Sequence, residues 1–336
     1  MQKKEYKKLD NFIISKRLDY LLIFSPLWFP LFYLLLHINI PAISNAIFIL
    51  SIFFLAETHF ASTWLFLFFK SNRIWIKQRK NDLFVLPIVY LFSLVIFWLI
   101  NPSTVLIFHY LASGWHVTRQ SVAMLTLSRT RRKLFTRLIY LSSFPLLILG
   151  LIKPGIVKIN LSIFTANTIF VIVLLIYLLF LILINNKFIK KLSKNLLPVL
   201  TGILIYVPLL FIDDIKLALG LGVGMHWIQY LGLTGITNYR RLRAEKDKNY
   251  NFLKIGMGIL PALVFILIYA LSMTLCTYFG LININKSGLD ISYLYLIPIL
   301  FQFYHFYIDR YLWKFSDEHI RSTTMPYIFN NFANQN

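Results

Sequence analysis

Four histidines lie inside four separate apolar stretches of the chain: His59, His116, His226 and His305. An imidazole in hydrocarbon costs free energy unless it is paired, so each of these residues needs a polar partner. Four such residues at a similar depth have a common explanation in a metal ion held between helices. The histidines therefore predict a metal site inside a membrane.

Two acidic residues and a further histidine accompany this set. Asp309 follows His305 by four residues, so both side chains project from one face of a helix. Glu57 lies two residues before the first histidine, a spacing that brings both to one face only at a distorted turn. His109 lies two helical turns, or about 10 Å, before the second histidine and further from the cytoplasm. These three residues are predicted as further metal ligands.

Two amides follow histidines by about one helical turn. Gln120 and Gln229 come after His116 and His226, and they could hold the imidazole tautomers in place. Imidazole mixed with carboxylate suits iron, zinc, copper or manganese. Two iron ions sharing about five histidines and two carboxylates is one arrangement, and a single zinc or iron with fewer ligands is another.

The positioning elements are predicted to be membrane-spanning helices. The 336-residue chain is 58% hydrophobic and 14% charged, against about 25% charged in soluble domains, and its mean hydropathy is +0.68. Apolar runs of about 20 residues predict an all-α, polytopic integral membrane bundle of about ten transmembrane helices. The predicted spans are residues 20–40, 43–69, 83–101, 103–127, 138–153, 162–185, 196–212, 215–237, 252–282 and 289–313.

Lysine and arginine cluster in alternate connections, which predicts the topology. The basic segments are the N-terminal tail, residues 70–80, 128–137, 185–195 and 238–249, and the tail from Lys314. Because basic connections stay in the cytoplasm, both termini are predicted to be cytoplasmic. The chain would then comprise a basic tail (1–19), a transmembrane domain (20–313) and a cytoplasmic tail (314–336), in a multi-pass protein of a bacterial inner membrane.

The four histidines fall in predicted spans two, four, eight and ten, which all run from outside to inside. Each lies about 8–11 residues from the inner end of its span, or roughly 12–17 Å. The layer is therefore predicted in the cytoplasmic half of the membrane. His37, near the outer end of span one, and His319, in the tail, are predicted to be interfacial or solvated, although His319 could fold back on the site.

The net charge of +21 resides in the connections, which favours an anionic lipid surface over nucleic acid as partner. Arg119, Arg240 and Arg310, near the predicted inner face, could anchor a phosphate or carboxylate headgroup or act only as interfacial anchors. Cys276 is the single cysteine, which excludes an internal disulfide. Phosphate-loop, HExxH and GxSxG motifs do not occur, which argues against NTPases, zincins and ordinary serine hydrolases.

The histidine motifs resemble those of multi-histidine membrane oxygenases, nearest in style to the Brp/Blh-type β-carotene-cleaving dioxygenases. The resemblance rests on His59 in THF, His109 and His116 in HYLASGWH, His226 in MHW and His305 in YHFYID. It implies a helical protein of about this length whose metal-binding histidines lie inside the spans.

The leading hypothesis is a membrane-embedded, metal-dependent oxidoreductase. It would use non-haem iron and O2 on a lipid-soluble substrate, with zinc or copper as alternative metals and an electron-donor protein as a further partner. A metal-ion or proton-coupled transporter using the same histidines is the main alternative. Haem binding for electron transfer and a purely structural role are the others.

Overall fold

A computed structural model describes residues 13–127, 214–246, 259–287 and 293–329, with isolated positions between 136 and 148 and at 208 and 212. Every regular element in these residues is a helix, which confirms the all-α prediction. The predicted spans at 138–153, 162–185 and 196–212 lie outside the described residues, isolated positions apart. The α-helices are α1 (Lys16–Leu18), α2 (Phe29–Asn39), α3 (Ser44–Ser51), α4 (Thr58–Phe68), α5 (Arg73–Gln78), α6 (Leu86–Ile100), α7 (Pro102–Leu127), α8 (Ile215–Lys246), α9 (Ile259–Ser287), α10 (Tyr293–Leu312), α11 (Glu318–Thr323) and α12 (Met325–Ile328).

Among the described residues, three segments rather than about ten are both long and apolar enough to cross a membrane. They are Pro41–Phe68, Asn81–Ile100 and Ile259–Gly280. Helices α7, α8 and α10 coincide with predicted spans, but polar side chains, including His116, His226 and His305, reduce their apolar character. The histidines that predict a metal site thus also lower the mean hydropathy of these three helices.

The chain divides into two compact units. The first comprises Met1–Leu18, Ile49–His109 and Tyr230–Asn336, and the second comprises Asp19–Phe48 and Tyr110–Gln229. Within the candidate ligand set, the first unit contains Glu57, His59, His109, His305 and Asp309, and the second contains His116 and His226.

In the first unit, α10 packs against α9, α4 and α6, and α9 also packs against α4. Gly280 of α9 allows a close approach of α10: a Cβ at this position would lie 2.6 Å from Cβ and 2.9 Å from the backbone nitrogen of Tyr295. Small residues at helix contacts let two backbones come close together in this way. A buried apolar cluster of Leu65, Phe69, Leu242 and Ala262 adds to the contact between α4, α8 and α9.

A π-helical segment, Ile52–Glu57, immediately precedes α4. A π-helical turn is wider than an α-helical turn, and such turns are frequent at functional sites. The segment ends at Glu57, and His59 is the second residue of α4. Both residues are buried at 1% exposure, and their sharing of one face stays a prediction.

A single residue, Asn101, separates α6 from α7. Its backbone is extended (φ −155°, ψ 96°), and its Oδ1 accepts a long hydrogen bond of 3.4 Å from the backbone N–H of Thr104. Pro102 begins α7, where its missing N–H leaves no unsatisfied donor. Asn101 and Pro102, which are residue types that favour turns and helix starts, thus divide one long apolar stretch into two helices.

In the second unit, α8 packs closely on α2 through two glycines. A Cβ at Gly220 would overlap the ring of Tyr33, and a Cβ at Gly224 would overlap the ring of Phe29. Ser25 Oγ donates a hydrogen bond of 3.1 Å to the carbonyl oxygen of Met225, next to His226. This packing fixes the part of α8 that carries His226.

Candidate metal centre

Two histidines and an aspartate of the first unit form a buried cluster. His59 lies on α4, and His305 and Asp309 lie one turn apart on α10. The imidazole centroids of His59 and His305 are 4.7 Å apart, and the two rings meet at 81°. His305 Nε2 lies 3.8 Å from Asp309 Oδ2, so these side chains share a face as their spacing predicts. All three residues are at most 4% exposed.

Tyr230 of α8 holds the aspartate of this cluster in place. Its hydroxyl donates a hydrogen bond of 2.7 Å to Asp309 Oδ1 and accepts one of 3.2 Å from Trp313 Nε1. Thr63 Oγ1 lies 2.8 Å from the same hydroxyl. The Tyr230 ring lies 4.4 Å from the His59 ring, centroid to centroid. Sequence reasoning missed Tyr230, although its position four residues after His226 was a signal that could have found it.

The second unit carries a histidine pair of its own. The rings of His116 on α7 and His226 on α8 are 6.0 Å apart, nearly perpendicular at 88°, and both residues are buried. Gln120 Nε2 lies 2.9 Å from His116 Nε2. The Gln120 amide can turn its oxygen to accept an Nε2–H, which leaves the Nδ1 lone pair of His116 for an ion. Gln120 thus contacts the histidine that it is predicted to orient, and its effect on the tautomer stays a prediction.

These donor groups fit a transition metal. His59, His116, His226, His305 and Asp309 are all buried, and each offers one ligand atom to a metal ion. By residue type, the two imidazoles and one carboxylate of the first unit correspond to the 2-His-1-carboxylate set of non-haem iron enzymes, which leaves positions open. Metal binding by these histidines is therefore possible on chemical grounds. The prediction that all four histidines bind one common centre stays a prediction.

Glu57 and His109 form a separate polar group in the first unit. Gln302 on α10 bonds to both: it hydrogen-bonds the Glu57 carboxyl group, and its Oε1 lies 2.5 Å from His109 Nε2. Phe303 and Phe306 flank the His109 ring at centroid distances of 5.5 and 5.9 Å. Gln302 did not stand out in the sequence, because a glutamine in an aromatic run has many ordinary roles.

Gln229 has a backbone partner in the second unit. Its Nε2 donates a hydrogen bond of 2.5 Å to the carbonyl oxygen of Ile23. Ile23 ends the π-helical segment Asp19–Ile23, where carbonyl groups lack partners within the helix. The amide group that is predicted to orient His226 therefore connects α8 to the end of this π-helical segment.

The three predicted headgroup anchors have different surroundings. Arg240 Nη1 donates hydrogen bonds of 2.9 Å to the carbonyl oxygens of Tyr327 and Ile328, at the end of α12. Arg310 is exposed, and its guanidinium lies over the rings of its neighbours Tyr307 and Tyr311. Arg119 is exposed on α7. Arg240 thus has a structural contact, while headgroup binding by these residues stays a prediction.

Arg241 is a buried cation at the same end of α8. It is 1% exposed, and its Nη2 donates hydrogen bonds of 2.8 Å to Ser71 Oγ and to Asn72 Oδ1. Its guanidinium also lies 4.0 Å over the ring of Phe69. A cavity of about 20 Å³, room for about one water molecule, lies between Arg241 and Tyr230.

His319 packs against the first unit outside the membrane-spanning segments. Its ring stacks on Trp75 at 5.6 Å with an 11° angle, and its Nε2 lies 3.0 Å from Asn72 Oδ1. Burial lowers the pKa of His319, and the charges of Arg241 and Arg79 lower it further against the opposing charge of Asp317. His319 therefore favours its neutral form. Its stacking on Trp75 places it against α5, so it is not a freely solvated residue of the tail. His37, by contrast, is half-buried on α2.

Asp317 fixes the beginning of α11. Its Oδ1 accepts hydrogen bonds from the backbone N–H groups of His319 and Ile320, and its Oδ2 lies 2.8 Å from Arg79 Nη2. Burial raises the pKa of Asp317, but these hydrogen bonds, a bond from Trp75 and the charge of Arg79 outweigh it and hold the pKa below its usual value. The ionised carboxylate is thus both a helix cap and an ion-pair partner.

The chain matches no protein-family profile, no curated protein and no solved structure at a significant level.

Proposed function

We propose that the chain is a membrane-embedded metalloenzyme that oxidises a lipid-soluble substrate with O2. The observation that supports it best is the cluster of His59, His305 and Asp309 within the first unit. Burial of polar groups inside an apolar helical bundle costs free energy, and a shared ion would offset that cost for all three residues. Iron is the first choice of metal, since imidazole and carboxylate ligands with open positions suit O2 chemistry.

The protein's own residues would provide binding, orientation and exclusion of water. The Tyr230 hydroxyl restricts the rotation of the Asp309 carboxylate through a hydrogen bond to Oδ1. The Tyr230 ring packs against one side of the His59 ring. Phe60 lies 4.9 Å from the His305 ring and makes this side of the cluster apolar. A dry, apolar surrounding suits a long acyl or isoprenoid chain and protects reactive groups from water.

The number of spans and the location of the two termini are part of the same proposal. About ten spans with both termini in the cytoplasm would place the histidine layer in the cytoplasmic half of a bacterial inner membrane. Three apolar helices and the broad exposed apolar face of α6 support membrane insertion. Residues Ile88, Phe92, Leu99 and Ile100 on that helix are each more than 60% exposed, which in water would be a large unfavourable apolar surface.

Elemental analysis of the purified full-length protein, with an optical spectrum, tests the proposal. Wild type should contain a first-row transition metal without the intense visible band of haem. His305→Ala should lose that metal, and Asp309→Asn should retain it more weakly, while His37→Ala, a histidine outside the cluster, should retain it fully. Full occupancy in His305→Ala would refute the site.

The same measurement tests the histidines of the second unit. If His116 and His226 bind the same centre, then His116→Ala and His226→Ala should each lose metal while still inserting in the membrane. Wild-type metal content in both variants would remove them from the ligand set and leave the cluster of the first unit on its own.

A further inference from the structure

The Glu57 side chain has a feature that its known contacts do not explain. It is 1% exposed, and its Oε2 atom has no hydrogen-bond partner among the described residues. A buried polar oxygen without a partner costs free energy, and in a native structure it calls for an explanation such as an ion or an ordered water. An ion bound next to Glu57 would give this oxygen a partner.

The groups around Glu57 are metal-binding groups. Gln302 bonds to its carboxyl group and also contacts His109, so that a carboxylate, an amide and an imidazole gather at one place. They come from three elements: the π-helical segment, α10 and α7.

We infer that Glu57, His109 and Gln302 bind a second metal ion, beside the ion of His59, His305 and Asp309. Oxygen ligands from carboxylate and amide favour hard ions, whereas imidazole favours transition metals, so Fe²⁺ or Mn²⁺ fits the mixture better than Ca²⁺ or Cu⁺. Gln302 lies three residues before His305, so the two sets are about one helical turn, roughly 5 Å, apart along α10. The inference extends the proposed function by assigning each ion of a two-ion centre to its own residues.

Binding at this place would exchange one hydrogen bond for bonds to the metal. His109 Nε2–H donates to Gln302 Oε1. An ion bound at Nε2 requires the tautomer that carries the proton on Nδ1, so no proton is lost. Gln302 Oε1 then exchanges a hydrogen bond for a metal bond, and Glu57 Oε2 gains the partner that it lacks.

The stoichiometry of bound metal tests this inference. Full-length protein in detergent would be stripped with a chelator, reloaded with Mn²⁺ or Co²⁺, and its metal content and electron paramagnetic resonance spectrum measured. Wild type should bind two ions per chain. Glu57→Gln, which preserves shape and hydrogen bonding but removes the charge, should bind one, and so should His305→Ala. The two remaining ions should differ in their spectra, because they have different ligands.

The outcomes separate this inference from the proposed function. One ion in wild type that persists in Glu57→Gln and is lost in His305→Ala would overturn the second site alone. One ion that is lost in Glu57→Gln and persists in His305→Ala would overturn the first site alone. No ion in wild type would overturn both. If Glu57→Gln does not fold, His109→Gln removes the same ion and decides the matter in its place.

Discussion

Tyr230 is the residue on which the geometry of the first cluster depends most. It joins Asp309 to Trp313 through its hydroxyl and covers His59 with its ring, so one side chain fixes two candidate ligands. Partners that orient metal ligands without touching the metal usually contribute substantially to affinity. The hydroxyl of Tyr230 should therefore matter for metal binding even though it is not itself a predicted ligand.

We expect Tyr230→Phe to weaken metal binding by about 10- to 100-fold, because Asp309 loses the bond that orients it. The measurement is a competition titration against a chelator of known affinity. Tyr239→Phe is the matched control, since Tyr239 lies on the same helix and is 50% exposed. Equal affinities for the two variants would show that Asp309 is held by other contacts.

The candidate ligands could be identified from the sequence, whereas their hydrogen-bond partners could not. His59, His305 and Asp309 stand out because a polar residue in an apolar run needs a reason. Tyr230 does not stand out, because the chain has 19 tyrosines and only tertiary structure shows which hydroxyl meets a carboxylate. Gln302 was missed for the same reason.

Among the elements, α11 shows how a short helix is attached by polar contacts. Asp317 caps it, Arg79 pairs with Asp317, and His319 stacks on Trp75. Because these contacts need an ionised Asp317 and a neutral His319, the attachment of α11 depends on pH.

We expect the attachment of α11 to weaken as the pH falls below about 6.5, the ordinary pKa of histidine. The pKa of His319 is lowered in the attached state, so the detached state binds the proton more readily and gains stability as pH falls. The pKa of Asp317 is also lowered, so the stability that its carboxylate contributes is lost only at a lower pH, below the ordinary pKa of a carboxyl group. Hydrogen exchange of residues 318–328, corrected for the intrinsic effect of pH, measures the change.

His319→Gln is the control for this transition, since an amide can replace the bond to Asn72 but does not titrate. Its exchange should stay constant between pH 7.5 and 5.5, apart from the intrinsic effect. A pH response as large as that of wild type would assign the transition to another group.

Glycines set the distance between helices, and they differ in what a methyl group would meet. Gly280→Ala should destabilise the protein by about 1–3 kcal/mol, because the added carbon would collide with the backbone of Tyr295. Gly235→Ala on α8 should be neutral or stabilising by up to about 1 kcal/mol, since nothing lies within 4 Å of its new methyl group. Denaturation midpoints in detergent compare the two, and equal midpoints would show that α9 and α10 can move apart freely.

For the whole molecule, composition was a good guide to the all-α class, whereas the number of spans stays a prediction, with three apolar membrane-length segments among the described residues. The apolar runs predicted helices at 83–101 and 103–127, and α6 and α7 lie there within about three residues. The prediction at 215–237 stopped short, because α8 continues to Lys246 through a basic segment that hydropathy excludes. Helix ends in polar sequence depend on capping and tertiary contacts, which hydropathy does not record.

We expect both termini to be reached from the cytoplasm, since basic segments flank them. Reporter tags at each end would be tested for protease access in intact cells and in inverted vesicles, and alkaline carbonate would test whether the protein is integral. A tag that is accessible only from outside would mean an odd number of spans, and release by carbonate would refute insertion altogether.

The clustering of His59 with His305 has a consequence for biosynthesis. Chains are synthesised from the N-terminus, and His305 follows His59 by 246 residues. The contact between the two rings can therefore form only after this intervening length of chain has been made. Any chain that stops before α10 lacks half of the cluster.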